Sequence, residues 1–225
     1  MKILHLETSS RNCSVAISQE DQLLCLCEEV SENYKQSESL HKFVQWALEG
    51  AETSLQQLEA VCLGMGPGSY TGLRIGAAAA KGFCFGLNIP LIAVNSLDSL
   101  ALPFAGKNYD LIIPMVDARR MEVYTRIYDG KSAKPLNETE AMILDENSFK
   151  ELEGKNLIFV GDGAAKAQEI LQINADFDPS VFPSAKYLIQ GGVQKFRNES
   201  FEDIAYFEPY YLKDFQGVKQ KKNGA

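Results

Sequence analysis

Histidine is scarce: His5 and His41 are the only two in 225 residues. His41 has Ser37 four residues before it and Gln45 four residues after it, and His5 sits in a strand-like run, so no local spacing pairs two imidazoles. Zinc and iron centres need three or four such ligands, so no metal and no cofactor is expected. The same scarcity leaves Ser9 and Ser69 without a visible triad partner, and turn serines ordinarily cap or bond nearby backbone. Both histidines read as structural residues. Cysteine comes in an odd number, Cys13, Cys25, Cys27, Cys62 and Cys84, with no CxxC spacing, as expected for free core thiols in a reducing compartment. A long apolar run is missing too. Ala77 to Val94 is broken by Lys81, Asn88 and Pro90, short of the ~20 apolar residues of a bilayer span. Glu7 follows only a short strand-like run, unlike a secretory signal. We therefore expect a cytoplasmic protein with no membrane association.

Positive charge is also in deficit. Lys and Arg number 22 against 30 Asp and Glu, a formal charge of −8, so the average surface repels phosphate backbones and unaided nucleic-acid binding is disfavoured. What is present suits a globular protein: 45% hydrophobic and 23% charged residues. At ~100–200 residues per domain, the length fits one bilobal unit or two small domains.

Three β-prone runs, Lys2–Leu6, Cys13–Ser18 and Leu23–Val30, predict an antiparallel meander. Leu40, Phe43, Val44, Ala47 and Leu48 recur with helical period, and Ser37 or Ser39 is a candidate cap. A short helix over Leu55–Glu59, a buried strand Ala60–Gly64, a helix reaching about Phe85 and a strand Pro90–Val94 follow, with a further helix from Ser96. After a break at Pro103–Asn108 the grammar restarts, with strands at Leu111–Asp117 and Met121–Tyr128 closed by the hairpin dipeptide Asp129-Gly130. A shift of 110 positions lays Leu4–Ser18 over Pro114–Tyr128, matching Glu7 with Asp117, Cys13 with Val123 and Ile17 with Ile127. Both halves read strand, acid, turn, strand, the signature of internal duplication. A strand at Leu157–Val160 and helices at Ala164–Leu171 and Ser184–Phe196 complete the chain. The terminal lysines Lys219, Lys221 and Lys222 read as a solvated end.

The most unusual segment is Gly64-Met-Gly-Pro-Gly-Ser-Tyr-Thr-Gly-Leu-Arg-Ile-Gly76. It satisfies neither phosphate-loop pattern: a dinucleotide fingerprint from Gly64 needs glycine where Ser69 stands, and no lysine follows as a Walker loop requires. Gly130-Lys-Ser has Thr125 in place of the leading glycine. Ser69 or Thr71 is the candidate cap of the helix that follows. Gly72, Gly76 and Ala80 lie four apart and form a smooth strip for close backbone approach. Spacing leaves two readings open, a corner packed on its own domain or a contact with another chain.

Gly66-Pro-Gly-Ser-Tyr-Thr-Gly-Leu-Arg-Ile-Gly resembles the signature of the TsaB (YeaZ-like) family, dimerisation subunits of the bacterial tRNA threonylcarbamoyladenosine machinery. Leu6-Glu-Thr-Ser, Gln36-Ser-Glu-Ser-Leu, Val116-Asp-Ala-Arg-Arg-Met-Glu-Val-Tyr, Gly161-Asp-Gly and Pro209-Tyr-Tyr-Leu match in order, so the likeness spans nearly the whole chain. Glu7 stands where many members carry aspartate, and Gln36 where histidine is common. The resemblance implies an α/β, actin/Hsp70-like fold of two related lobes, expected as residues 1–103 and 104–225, with the last helix able to return to the first lobe. It implies a non-catalytic subunit that binds and activates a TsaD-like catalytic paralogue, with a TsaE-like P-loop ATPase as further partner, a homodimer in isolation, and tRNA contacted only through the complex. The catalytic sister binds metal through an HxxxH pair that this chain lacks. The implied partner face comprises Leu40, Phe43, Val44 and Ala47 on the first helix and Tyr70, Thr71, Gly72, Arg74, Ile75, Gly76, Ala79 and Phe83 on the second. Glu7 and Asp117 would be vestigial cleft acids, at positions where actin-like folds hold Mg²⁺ through water. The rival reading is a stand-alone ATP-dependent kinase or ATPase of the same fold.

Overall fold

A computed structural model describes residues 1–31 and 36–212, with only the backbone of Gln36; the terminal lysines lie outside this range. The first sheet contains β1 (Lys2–Glu7), β2 (Asn12–Gln19), β3 (Gln22–Val30), β4 (Ala60–Gly64) and β5 (Leu91–Val94) in the order β3-β2-β1-β4-β5. β1, β2 and β3 are the expected antiparallel meander, while β4 and β5 run parallel to β1. Parallel strands need crossovers, supplied by α1 (Gln36–Gly50) before β4 and α2 (Tyr70–Leu87) between β4 and β5. α1 starts earlier than its apolar stripe, so Ser37 and Ser39 lie inside its first turns and do not cap it.

The second sheet repeats this plan. It contains β6 (Leu111–Asp117), β7 (Glu122–Thr125), β9 (Glu140–Ile143), β10 (Leu157–Val160) and β11 (Asp176–Asp178) in the order β9-β7-β6-β10-β11, with the short β8 (Tyr128–Asp129) against the start of β6. Directions match as well: β6, β7 and β9 are antiparallel, and β10 and β11 run parallel to β6. Thus β6 is the counterpart of β1 and β7 of β2. The register shows a one-residue slip. Glu7 pairs with Ser14 but Asp117 with Val123, so the second hairpin turn is one residue shorter and the 110-residue shift holds only for the first strand. The strand expected over Met121–Tyr128 is correspondingly broken at Arg126-Ile127, and Ile127 falls outside β7.

Each sheet is covered on both faces. α1 and α2 cover one face of the first sheet, burying Leu40, Phe43, Val44, Ala47, Ala77, Ala80 and Cys84 against Leu4, Leu6, Val15, Ile17 and Leu63. α5 (Ile189–Arg197) covers the other, placing Ile189 and Val193 on Ile3, Cys62 and Ile92. α4 (Ala164–Ile170) covers one face of the second sheet, and α3 (Ser96–Ala101) the other, through Leu97, Leu100 and Ala101 on Ile112, Val116 and Val160. The division expected at residue 103 is therefore crossed twice by packing, since α3 serves the second sheet and α5 the first. Glu28 reinforces the return of the chain: its Oε2 accepts from Ser14 Oγ at 2.9 Å and Ser184 Oγ at 2.5 Å. Among the described residues no helix is long and apolar enough to cross a membrane. All five cysteines are free, with Cys13, Cys62 and Cys84 buried.

The glycines of α2 fall into two groups. A Cβ on Gly72 would stand 2.1 Å from the Thr8 carbonyl oxygen, and one on Gly76 would stand 2.3 Å from Thr8 Oγ1. A Cβ on Gly82 or Gly86 would meet nothing within 4 Å among the described residues. Helix-interior glycine costs ~0.5–1 kcal/mol relative to alanine, whereas overpacking costs ~1–3 kcal/mol. Urea unfolding followed by circular dichroism should therefore show Gly72→Ala destabilised by ~1–3 kcal/mol and Gly82→Ala stabilised by ~0.5–1 kcal/mol; equal effects would contradict the assignment of faces.

His5 is fully buried in β1 with Nε2 2.8 Å from Ser18 Oγ, and burial pushes its pKa down to about 3. An unfolded histidine takes up a proton near pH ~6.5, which the folded one resists. The unfolded state thus binds more protons between these values, and stability falls as pH drops from ~6.5 toward 3, by up to ~1.4 kcal/mol per unit. Stability measured across this window should fall less steeply in His5→Gln than in the wild type; parallel slopes would show that His5 is not held neutral.

Candidate partner-docking face and interlobe acids

Glu7 and Asp117 occupy equivalent strand ends but opposite environments. Glu7 ends β1 at the centre of its sheet and is 0% exposed. Its Oε1 accepts from the Ser9 backbone N–H at 2.8 Å, and its other oxygen fills the space where Gly64 lacks a Cβ. Burial pushes the carboxyl up, and hydrogen bonding from Ser9 pulls it part of the way back. Asp117 is half-exposed at the end of β6, with Oδ1 2.6 Å from Lys166 Nζ and 2.6 Å from the Arg119 backbone nitrogen. Lys166 on α4 is thus its ionic partner, while Arg119 contributes its backbone N–H. Asp162, in the Gly161-Asp-Gly turn, accepts from the Asp117 backbone N–H at 2.9 Å. Burial raises its carboxyl, countered in part by that bond and by the positive charge of Arg11.

A hydrated divalent cation does not fit this arrangement. One acid is sealed from solvent and the other already has an ammonium partner. Among the described residues no three His, Cys, Asp or Glu side chains come together to hold a metal ion. Of the two candidate caps, Ser69 and not Thr71 caps α2, accepting from the Gly72 N–H at 3.3 Å, and Ser9 is buried. His41 lies instead on the outside of α1, edge-on to Phe83 with ring centroids 5.8 Å apart.

The twelve residues expected on the partner face divide between two sides of the helix pair. Leu40, Phe43, Val44 and Ala47 are buried on the first sheet, and Gly72 and Gly76 are buried against Thr8. These six are taken up by the lobe's own core. In particular, Gly76→Arg would drive a guanidinium into Thr8 and Leu63 instead of probing an interface. Tyr70, Thr71, Arg74, Ile75, Ala79 and Phe83 remain accessible on the outside of α2. Tyr70 packs on Tyr211 at 5.1 Å, with the Arg74 guanidinium 5.4 Å from the Tyr70 ring centre.

The outer face also carries residues that the sequence reading passed over. Ala78, Gly82 and Gly86 form a second four-residue lane on α2, exposed throughout, beside Phe85, which is 84% exposed. Trp46 on α1 is 53% exposed. The lane has the same spacing as Gly72, Gly76 and Ala80, so period alone does not separate the inward from the outward one. Large exposed aromatic groups beside a smooth backbone lane are features of an interface.

Comparison with known proteins places this geometry in a family. Residues 28–216 match the family model "TsaD: tRNA N6-adenosine threonylcarbamoyltransferase". The chain is 30% identical to the tRNA threonylcarbamoyladenosine biosynthesis protein TsaB of Bacillus subtilis over 76% of both chains. It is 25% identical to TsaB of Haemophilus influenzae over 95% of this chain and 94% of the relative. Among solved structures, YeaZ from Pseudomonas aeruginosa superposes with a TM-score of 0.81 at 24% identity, covering 94% of this chain and 100% of that one. The activator of 2-hydroxyisocaproyl-CoA dehydratase from Clostridium difficile shares the fold alone, with a TM-score of 0.52 at 10% identity over 89% of this chain and 96% of that one. The architecture is the expected actin/Hsp70-like fold of two related α/β lobes, and the chain belongs to the TsaB (YeaZ-like) family of tRNA threonylcarbamoyladenosine biosynthesis proteins.

Proposed function

We propose that this chain is a non-catalytic subunit that docks on a TsaD-like catalytic subunit through the outer face of α1 and α2 and thereby supports threonylcarbamoylation of tRNA adenosine. The observation that carries this reading is the exposed lane Ala78-Gly82-Gly86 beside Phe85. Two helix glycines there lower stability with no contact to another described residue to explain them. A helix from another chain crossing at the lane would use both their small size and the neighbouring aromatic groups. Tyr70, Thr71, Arg74, Ile75, Ala79 and Phe83 extend the face, and Trp46 and His41 flank it on α1.

The family model shared with the transferase supports a partner that is a structural relative; the two would then meet as a pseudo-twofold pair, and two copies of this chain would meet the same way in isolation. An interface of ~800 Å² per partner would suffice. The sealed Glu7 and the Lys166-paired Asp117 support leaving the chemistry to the partner. The formal charge of −8 agrees with tRNA contacted only through the complex. A TsaE-like ATPase is the further partner of that assembly, and the subunit requires no cofactor of its own.

Reconstitution tests this reading. With catalytic subunit, ATPase, an activated threonylcarbamoyl donor and tRNA present, omission of this chain should abolish or strongly reduce modification. Gly82→Arg should keep its circular dichroism spectrum yet lose both self-association and pull-down of the catalytic subunit. Gly82→Arg and Phe85→Ala variants that both assemble and support modification at wild-type level would place the docking face elsewhere, and sustained ATP turnover by the purified chain would favour a stand-alone kinase or ATPase.

A further inference from the structure

A cleft of about 590 Å³ opens between the lobes, and neither Glu7, Asp117 nor the Gly161–Gly163 turn lines it. Asn95 and Asp98 at the start of α3, Arg126 and Thr139 from the second lobe, Lys195 of α5 and Asn198 just beyond its end line it. Its volume is that of an ordinary small-molecule site.

The two cations in this cleft are anchored without being used up. Arg126, its side chain 17% exposed, donates Nε to the Asn137 carbonyl at 2.7 Å, and its Nη1 stands 3.9 Å from Asp98 Oδ1, beyond hydrogen-bond range. Lys195 donates from Nζ to the Ala93 carbonyl at 2.6 Å. Arg126 also pairs ionically with Asp98 and lies over the Tyr128 ring, 5.9 Å from its centre, but a guanidinium carries five donors and an ammonium three, more than these contacts take up. Backbone carbonyls fix the side chains, which reduces the ordering cost of binding. Of the two acids in the lining, Asp98 has Oδ1 occupied by the Tyr128 hydroxyl at 2.6 Å, and Glu138 is exposed. The neutral wall is polar as well, with Asn95 Nδ2 donating to Thr139 Oγ1 at 3.0 Å.

We propose that this cleft binds a small oxyanion, a carboxylate- or phosphate-bearing metabolite, held between Arg126 and Lys195. Charge-assisted and bidentate bonds to oxyanions are what a fixed guanidinium makes best. Arg126 belongs to the second lobe and Lys195 to the helix packed on the first sheet, so the bound anion ties the two lobes together.

Isothermal titration of the full chain with inorganic phosphate and with malonate should show saturable binding of at least one at millimolar concentration or below, and the preferred anion assigns phosphoryl or carboxylate chemistry. In amide NMR spectra of the wild type, Gly191 and Asn198 should shift on titration while Gly82 does not. Arg126→Gln and Lys195→Gln should each weaken binding by about tenfold or more, whereas Lys131→Gln, at an exposed position outside the cleft, should leave it unchanged. Failure of both anions to bind, retention of affinity by both cleft variants, or shifts confined to residues outside the cleft would overturn the assignment.

Discussion

Close approach between α2 and the turn after β1 governs the first lobe. Gly64, Gly68, Gly72 and Gly76 each stand where a Cβ would lie 2.0–2.3 Å from an atom of Glu7, Thr8 or Ser9. The Thr8 hydroxyl donates to the Gly72 carbonyl at 2.8 Å, and the Ser69 N–H donates to the Ser9 carbonyl at 2.6 Å. Seated this closely, α2 seals Glu7 beneath the glycine loop and shows only one side to solvent. The burial of the inward glycines and the exposure of the Ala78 lane are two consequences of one rotational setting. Interiors packed at crystalline density leave no slack for another.

The two sheets share one strand order, and the lobes differ at their strand ends. In the first lobe the acid is enclosed by glycines; in the second it is neutralised by Lys166 from the following helix. Either change leaves no free carboxylate at the strand end. The exchange of α3 and α5 between sheets ties the lobes into one body, and the polar cleft lined by Arg126 and Lys195 lies where that exchange brings them together.

Much of this was legible in the sequence because it depends on short periods. The β-prone runs of β1 and β2, the apolar stripe of α1 and the strand-acid-turn-strand echo at Asp117 are local patterns, and each stands in the structure. The glycine segment was legible as a place of close approach, but not its direction, since Gly72-Gly76-Ala80 and Ala78-Gly82-Gly86 have the same spacing and only Thr8 distinguishes them. The stripe Leu40, Phe43, Val44 and Ala47 carried no sign of whether its bulk exceeds what the lobe buries; the first sheet accommodates all of it. The Lys166 pairing with Asp117 joins residues 49 apart in sequence, which no local pattern encodes. The register slip between the hairpins hides in a turn that is shorter by one residue.

Docking of the outer α1–α2 face on a catalytic partner is the central claim, and amide hydrogen exchange read by mass spectrometry tests it most directly. Exchange would be compared for the chain alone and in a mixture with the TsaD-like subunit. Added protection should concentrate in peptides from the second half of α2, around Ala78–Gly86, and from the α1 segment holding His41 and Trp46, with the hairpin turn at Arg119–Arg120 unchanged. Protection confined to that second-lobe turn, with α1 and α2 exchanging as they do in the free chain, would contradict the account.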